Sequence, residues 1–597
     1  GLGGAIYVEK GSTANISNST FTSNSATMGG AIYVGTDATV KITDSTFTKN
    51  TASEKGGAIY MDKNSSVTIE AIYKDVVFSG NKVGKTSNSI YMSENSTLNL
   101  FADNKRKITI KDKIEVADNT AKINLGGTGT IYIVNKDALE KLNVKFGEYS
   151  KVSTENNSVE TTSFRTLSLN GTSRVSIDAS LKSGQADKIQ AETVTGEGKV
   201  VASSINIISN SKTPVDINVG KDSVVSSVTT NKAESAEATY KLKSYYDENG
   251  MLRVLAYGQK AKACAVAAPV AAQIGGYLAQ INSYDQAFMN MDMNMLVPQS
   301  ERDREYGCHS DPSSHSELVS ESPQTCKGIT TQDRDDISYN AKGLWNRPFA
   351  TFERVNLSGG PKVNNVGYGN YFGGDADMKV LKNGWRRQFS AYIGYNGSVQ
   401  DYERQSIDQN GGTIGITEVW YKNRFFTGLT VNAGANVAQA STDIGRENMP
   451  MFMTGIASKT GYNFEFKNGK FIVQPSLLIS YSFIHTFAHD NGRGNHVGSS
   501  PLNAIQVAPG VKFIANLKNG WQPYMAVNMR WNILDKTHFS MQDVTIPDMS
   551  IDPYIEYGVG LQRRWGERFT GFGQAMIRNG GRNGVMLSFG FKWLIGK

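Results

Sequence analysis

Histidine and cysteine are both absent before Cys264 in this chain of 597 residues. A Ser-His or Cys-His pair therefore cannot be built within the first half, where catalysis would rest on carboxylates alone. Tryptophan is absent until Trp345, so all seven lie in the last 253 positions. Of fourteen prolines only Pro214 precedes residue 269, and a half so poor in proline reads as continuous polar β-structure. Three cysteines in the whole chain exclude a disulfide scaffold. Cys308 and Cys326 bracket a polar loop and would suit one bridge in an oxidising compartment. No run of about 18 apolar residues exists, so no transmembrane helix is expected. A membrane barrel stays open, because its alternating strands keep hydropathy low. The formal charge is +7, but basic and acidic residues are interspersed. The clustered basic face that phosphate binding needs is missing, so no nucleic-acid partner is expected. The length exceeds one core and implies several domains. The chain begins at Gly1 inside a repeat and reads as a fragment of a longer precursor.

That repeat comes first. Gly3-Gly4-Ala5-Ile6-Tyr7-Val8 returns as Gly29-Gly30-Ala31-Ile32-Tyr33-Val34 and as Gly56-Gly57-Ala58-Ile59-Tyr60-Met61, at steps of 26 and 27 residues. Between the copies lie Phe21-Thr-Ser-Asn24, Phe47-Thr-Lys-Asn50 and Phe78-Ser-Gly-Asn81. Short β runs at this period predict a solenoid, each copy one turn that pairs with its neighbours at about 4.8 Å. Paired glycines allow a corner that a side chain would block. Ile, Val and Phe stack into an apolar column, and Asn24, Asn50 and Asn81 can form an amide ladder. Beyond residue 90 the repeat loosens through Ser89-Ile90-Tyr91-Met92, and short strands continue to about residue 257 as less regular coils.

The pairing of these two motifs resembles the polymorphic outer-membrane proteins, a subgroup of the autotransporters of type V secretion. Ser180-Leu-Lys-Ser-Gly-Gln-Ala-Asp-Lys-Ile189 is similar to a strand found late in autotransporter passengers. The resemblance implies a right-handed parallel β-helix over residues 1–258, displayed outside the cell.

Residues 259–297 read as a linker helix. Ile274, Tyr277, Leu278 and Ile281 form an apolar stripe that Phe288 continues, and Pro269 suits a first turn. Gln273, Gln280, Asn282 and Asp285 lie on the other face. An ordinary surface helix would show the same stripe. Its place directly before a barrel favours a helix in a polar lumen. Residues 298–340 are polar and aperiodic, a loop.

From 341 to 597, strands of about 10 residues alternate. Phe389, Ala391, Ile393 and Tyr395 oppose Gln388, Ser390, Tyr392 and Asn396. Leu429, Val431 and Val437 oppose Thr430, Asn432 and Asn436. Val585, Leu587, Phe589, Phe591 and Trp593 oppose Ser588 and Lys592. A soluble sandwich could alternate likewise. The small polar faces and the aromatics near strand ends (Trp385, Tyr395, Trp420, Tyr421, Trp521, Trp565, Trp593) favour a membrane barrel of about 12 strands. Leu344-Trp345-Asn-Arg-Pro-Phe349 and Trp521-Gln-Pro-Tyr524 are similar to the autotransporter translocator. In such barrels a terminal aromatic strand is the insertion signal, here Phe589, Phe591 and Trp593, followed by four further residues.

His485, His489 and His496 mimic zinc spacing, but residues four apart in a strand are about 13 Å apart. Residue 486 is Thr486, where a metalloprotease helix has glutamate. No acidic pair recurs at the repeat period. The expectation is an all-β autotransporter without metal or cofactor, whose passenger is an adhesin and not an enzyme. The alternative is a displayed glycan-active β-helix. Expected partners are outer-membrane lipid, the barrel-assembly machinery, and host-cell or matrix receptors.

Overall fold

The computed structural model describes residues 1–263, 265–295 and 342–595, apart from positions 443–444, 468, 492–494, 518–519, 537, 542 and 566–567. Cys308, Cys326 and the loop 298–340 lie outside the described residues. The chain divides into two compact units, one formed by Gly1–Lys262 and one by most of the chain from Ala263 onward.

The first unit is a parallel β-solenoid of about eight turns. Equivalent strands of successive turns pair in register and build ladders. One ladder runs through Ile6–Val8, Ile32–Val34, Ile59–Met61, Ile90–Met92 and Ile114–Val116. A second runs through Thr13–Ser17, Thr39–Thr43, Ser66–Ala71, Thr97–Ala102 and Lys122–Gly126. A third begins at Thr20–Thr22, Thr46–Thr48, Val76–Ser79 and Lys107–Ile110. Register follows from the two-residue side-chain period: a slip by one residue would turn every inward residue outward. In the second ladder Ile42, Ile69, Leu100 and Leu125 stack inside, essentially inaccessible to solvent. Thr39, Ser66 and Thr97 stay on the outer side.

The parallel run does not continue to residue 257. Ala238–Tyr246 and Leu252–Ala261 form an antiparallel hairpin, and Val215–Asn218 pairs antiparallel with its second arm. The reversal ends the parallel stack, and Lys232–Glu234, paired with the first arm of the hairpin, lies against Lys199–Ser209, whose edge would otherwise invite pairing with another chain.

In the second unit, twelve antiparallel strands among the described residues close on themselves. They are Gly343–Ser358, Lys362–Asp375, Arg386–Tyr402, Gln405–Lys422, Phe425–Thr442, Gly445–Tyr462, Phe471–Thr486, Ser500–Ala515, Trp521–Leu534, Tyr554–Trp565, Phe569–Gly580 and Arg582–Leu594. The seam pairs the first with the last, from Gly343 with Leu594 to Val355 with Arg582. Closure leaves no open edge, which is why such a sheet can sit in lipid. Ile393, Ile414, Val431, Leu587 and Phe589 point outward and are exposed. Gln388, Thr430, Asn432, Ser480 and Ser588 point inward and are buried. An apolar exterior over a polar interior inverts a water-soluble protein and fits a barrel in a bilayer.

Candidate functional site

Inside the barrel lies the helix Ala268–Met295, of 28 residues, or about 42 Å of axis. Both of its faces are buried: Ile274 and Leu278 on the apolar stripe, and Gln273, Gln280, Asn282 and Gln286 on the polar one. The apolar stripe therefore marks no solvent boundary. A helix enclosed on every side can carry amides wherever the wall returns a hydrogen bond. Gln273 Nε2 donates to the Ser500 carbonyl at 2.7 Å, Tyr277 OH to Asn532 Oδ1 at 2.9 Å, and Asn432 Nδ2 to Ser283 Oγ at 2.7 Å. At Gly275 the helix runs close to two glutamines of the wall. A β-carbon on Gly275 would lie 2.2 Å from Gln400 Nε2 and 2.3 Å from Gln409 Oε1.

Charge fastens the helix further along. Asp285 takes Arg530 at 3.0 Å, and Asp292 takes Lys459 at 2.9 Å together with Lys512. Arg347 donates to the Gln286 carbonyl and to Asn290 Oδ1, both at 3.1 Å, while Asn290 Nδ2 donates to Asp375 at 2.6 Å. From Arg530 a relay crosses the wall. Glu556 bonds Arg530 at 2.9 Å and Arg578 at 2.7 Å, and Glu353 bonds Arg578 at 3.1 Å and Arg582 Nε at 2.9 Å. Glu353 and Arg582 belong to the first and last strands, so this pair bridges the seam. The sequence places Asp285 on the polar face of the helix but does not single out the wall charges that meet it. Each wall charge stands alone in an alternating strand, and only closure brings these charges to the helix and to one another.

Outside, Trp521, Trp565, Phe569 and Trp593 form a contiguous aromatic belt, with successive ring centroids 6.3, 5.6 and 6.5 Å apart. Phe589, Phe591 and Trp593 of the last strand all point outward and are exposed. Tyr421 does not belong to this belt. It faces the lumen, where its hydroxyl donates to the Met291 carbonyl at 3.2 Å.

In the solenoid the repeated residues meet as columns. Phe21, Phe47 and Phe78 stack at 4.9 Å steps. Asn24 Nδ2 donates to Asn50 Oδ1 at 2.9 Å, and Asn50 Nδ2 to Asn81 Oδ1 at 2.9 Å. Each amide also reaches back to the phenylalanine of the turn before: Asn50 Nδ2 to the Phe21 carbonyl and Asn81 Nδ2 to that of Phe47, both at 2.9 Å. The three-residue spacing from Phe to Asn thus sets the ring in the core and the amide at the corner beside it. Asp112 ends the ladder by accepting from Asn81 Nδ2 at 2.8 Å. Gly3, Gly29 and Gly56 adopt φ near +65°, a region costly for other residues. Gly4, Gly30 and Gly57 are needed for a different reason. A β-carbon there would lie 2.1 to 2.3 Å from the carbonyl oxygen of the next turn. The tyrosine of each copy, whose role the sequence did not disclose, builds a second column, Tyr7-Tyr33-Tyr60-Tyr91, with centroids 4.9 to 5.5 Å apart.

Residues 344–575 match the family model described as autotransporter beta-domain. The barrel is an autotransporter β-domain. Residues 18–35 and 44–62 match the Chlamydia polymorphic membrane protein repeat, so the solenoid is the passenger. The chain is an outer-membrane autotransporter with that passenger on the cell surface. Among solved structures, the beta domain of the Bordetella autotransporter BrkA is 16% identical, covering 42% of this chain and 99% of that one, with a TM-score of 0.36. The transport unit of AIDA-I from Escherichia coli is 14% identical, covering 45% and 94%, with a TM-score of 0.37. The translocator domain of NalP from Neisseria meningitidis is 12% identical, covering 44% and 92%, with a TM-score of 0.36. A search of curated proteins gives no match.

Two features of this autotransporter bear on chemistry. The first is a buried acidic pair that the repeat pattern hid, because neither carboxylate recurs at the repeat period. Asp187 follows the short strand Gln185–Ala186, which turns back on Ala179–Ser180. Its carboxylate accepts from Thr154 Oγ1 at 2.7 Å and from the backbone NH of Asp178 and of Glu160, each at 2.9 Å. Asp178 in turn accepts from the backbone NH of Asn156 and Asn157, both at 2.7 Å. Both aspartates are buried, so they tie turns together and meet no solvent-borne substrate. Burial pushes Asp187 up to about 6, against the pull of its three donors. It raises Asp178 in the same direction. A carboxyl raised in the folded state favours folding most below its unfolded pKa, and that advantage fades as pH climbs through the folded value. Acidifying from pH 7 to pH 4 should therefore add about 2 kcal/mol to the stability of the passenger through Asp187. Asp187→Asn should reduce the whole gain without removing it, because Asp178 adds to it. Urea midpoints of the passenger at the two pH values, read by tyrosine fluorescence or proteolysis, check this. A midpoint that falls on acidification contradicts it.

The second feature is the histidines of the barrel, which do not converge. His485 stands between Phe483 and Phe487 in ring contact. His489 Nε2 meets Glu447 at 3.4 Å, and His496 Nδ1 meets Asp490 at 3.1 Å. No group of three or more metal-binding side chains forms among the described residues.

Proposed function

We propose that the passenger is an adhesin and performs no catalysis. The observation that carries this reading is the outer side of the second ladder. Files rich in hydroxyls and amides run along the coil, Thr13-Thr39-Ser66-Thr97 in one file and Asn15-Lys41-Thr68-Asn99-Asn124 in the next, where Lys41 pairs with Glu70 at 3.0 Å. Asn124 Nδ2 donates to Asn99 Oδ1 at 2.7 Å, and Asn99 Nδ2 to Thr68 Oγ1 at 3.2 Å. One modest contact repeated at the spacing of the turns gains avidity along a rod. The partners of this reading are receptors on host cells or matrix. For the barrel they are membrane lipid and the assembly machinery, which would read Phe589, Phe591 and Trp593 on the last strand.

The test is a bacterium displaying the full chain, offered host cells, matrix proteins, and libraries of glycans and peptides. Saturable binding with no turnover is expected. Hydrolysis abolished by replacing a single Asp or Glu of the coil would overturn the reading in favour of a glycan-active enzyme.

A further inference from the structure

We propose that the β-domain is an anion-selective pore, which the lumen helix holds shut through the carboxylates of Asp285 and Asp292. Among the residues of Ala268–Met295 these are the two that carry charge at neutral pH, and both are negative. Each meets cations of the wall: Asp285 meets Arg530, and Asp292 meets Lys459 and Lys512. These five side chains all border one cavity of about 90 Å³ between the helix and the wall.

Consider what the wall keeps when the helix leaves. Lys459 and Lys512 lose the carboxylate they share. Arg530 returns to a relay in which Arg530, Arg578 and Arg582 face Glu353 and Glu556, three positive charges against two negative. An aqueous lumen lined by this excess attracts anions and repels cations, as rings of Lys and Arg do in anion pores. Focusing by the low-dielectric wall strengthens the effect. The helix offsets two of these three positive charges and fills the space together, so its two carboxylates are both plug and counter-ion.

The experiment uses the full chain in planar bilayers with a potassium chloride gradient. The unmodified protein should be largely silent. Asp285→Asn with Asp292→Asn should conduct, with the reversal potential moved toward the chloride equilibrium potential. Lys459→Gln with Lys512→Gln leaves Asp292 buried without its partners and should also loosen the helix, but its current should favour chloride less. Heat-shifted gel mobility shows whether each barrel is folded. If a variant does not fold, the brief openings of the unmodified protein at high voltage are read instead, and they too should favour chloride. Cation selectivity in the carboxylate variant or in those openings overturns the proposal. So does equal selectivity in the two variants, or a folded carboxylate variant that stays silent.

Discussion

Glu353→Gln should leave a barrel that assembles poorly and loses its folded gel mobility well below the temperature that unfolds the native protein. Glu353 is fully buried and bonds Arg578 and Arg582, both of which are buried without access to solvent. The change is nearly isosteric, so volume and packing stay and only the charge is lost. Arg578 keeps Glu556, but Arg582 is left with the Tyr554 hydroxyl at 3.0 Å. Removing one partner of a buried pair typically costs about 3 to 5 kcal/mol, because the other charge stays buried without compensation. The position magnifies the effect, since the pair joins the strands Gly343–Ser358 and Arg582–Leu594 across the seam. Glu353→Gln combined with Arg582→Gln should recover much of the loss by removing both charges together. The double-mutant cycle measures that coupling directly. Single and double variants that melt alike would show the pair to be decorative.

Gly57→Val should break the passenger while sparing the barrel. The added side chain has no free volume: its first carbon would lie 2.3 Å from the Asn88 carbonyl oxygen and 2.5 Å from the Lys82 nitrogen. Those atoms belong to the next turn, so the turns must separate. Overpacking of this kind costs about 3 kcal/mol at the upper end of the usual range. A coil whose turns are held only by their neighbours cannot spread the strain. The expected result is rapid cleavage of the surface passenger by added protease beside a barrel of normal gel mobility. Gly11 gives the control. Its φ is positive, near +69°, unlike that of Gly57, and nothing lies within 4 Å of a β-carbon there. Asn tolerates the left-handed region, so Gly11→Asn should leave protease resistance unchanged.

The coil and the barrel were legible in the sequence because their signals are local and repeated. Gly30-Ala31-Ile32 recurs at the pitch of a turn, and Leu429-Thr430-Val431-Asn432 alternates with the pleat. The helix was legible in extent and less so in environment. The stripe through Ile274, Tyr277 and Ile281 suggested two kinds of surroundings, where the enclosed helix buries both faces. What stayed hidden depends on contacts between residues far apart in the chain. Asp285 meets Arg530, and Glu353 meets Arg582, only because the sheet closes. Asp178 and Asp187 share a site through a tight reversal that no periodicity announces. The final hairpin, Ala238–Tyr246 with Leu252–Ala261, alternates as the coils do. Strand direction is not written in alternation, so it read as more of the same.

The central claim is that the helix lies within a closed barrel whose inner face is the polar one. A cross-link between Ser283 and Asn432, whose side chains meet at 2.7 Å, tests it most directly. With Cys264, Cys308 and Cys326 replaced by serine, Ser283→Cys and Asn432→Cys should join efficiently under a short thiol cross-linker, in outer membranes and in barrels of folded gel mobility. Val431 is the neighbour that points outward, and Ser283→Cys with Val431→Cys should not join. Cross-linking to position 431, or none to position 432 in a folded barrel, would contradict the account.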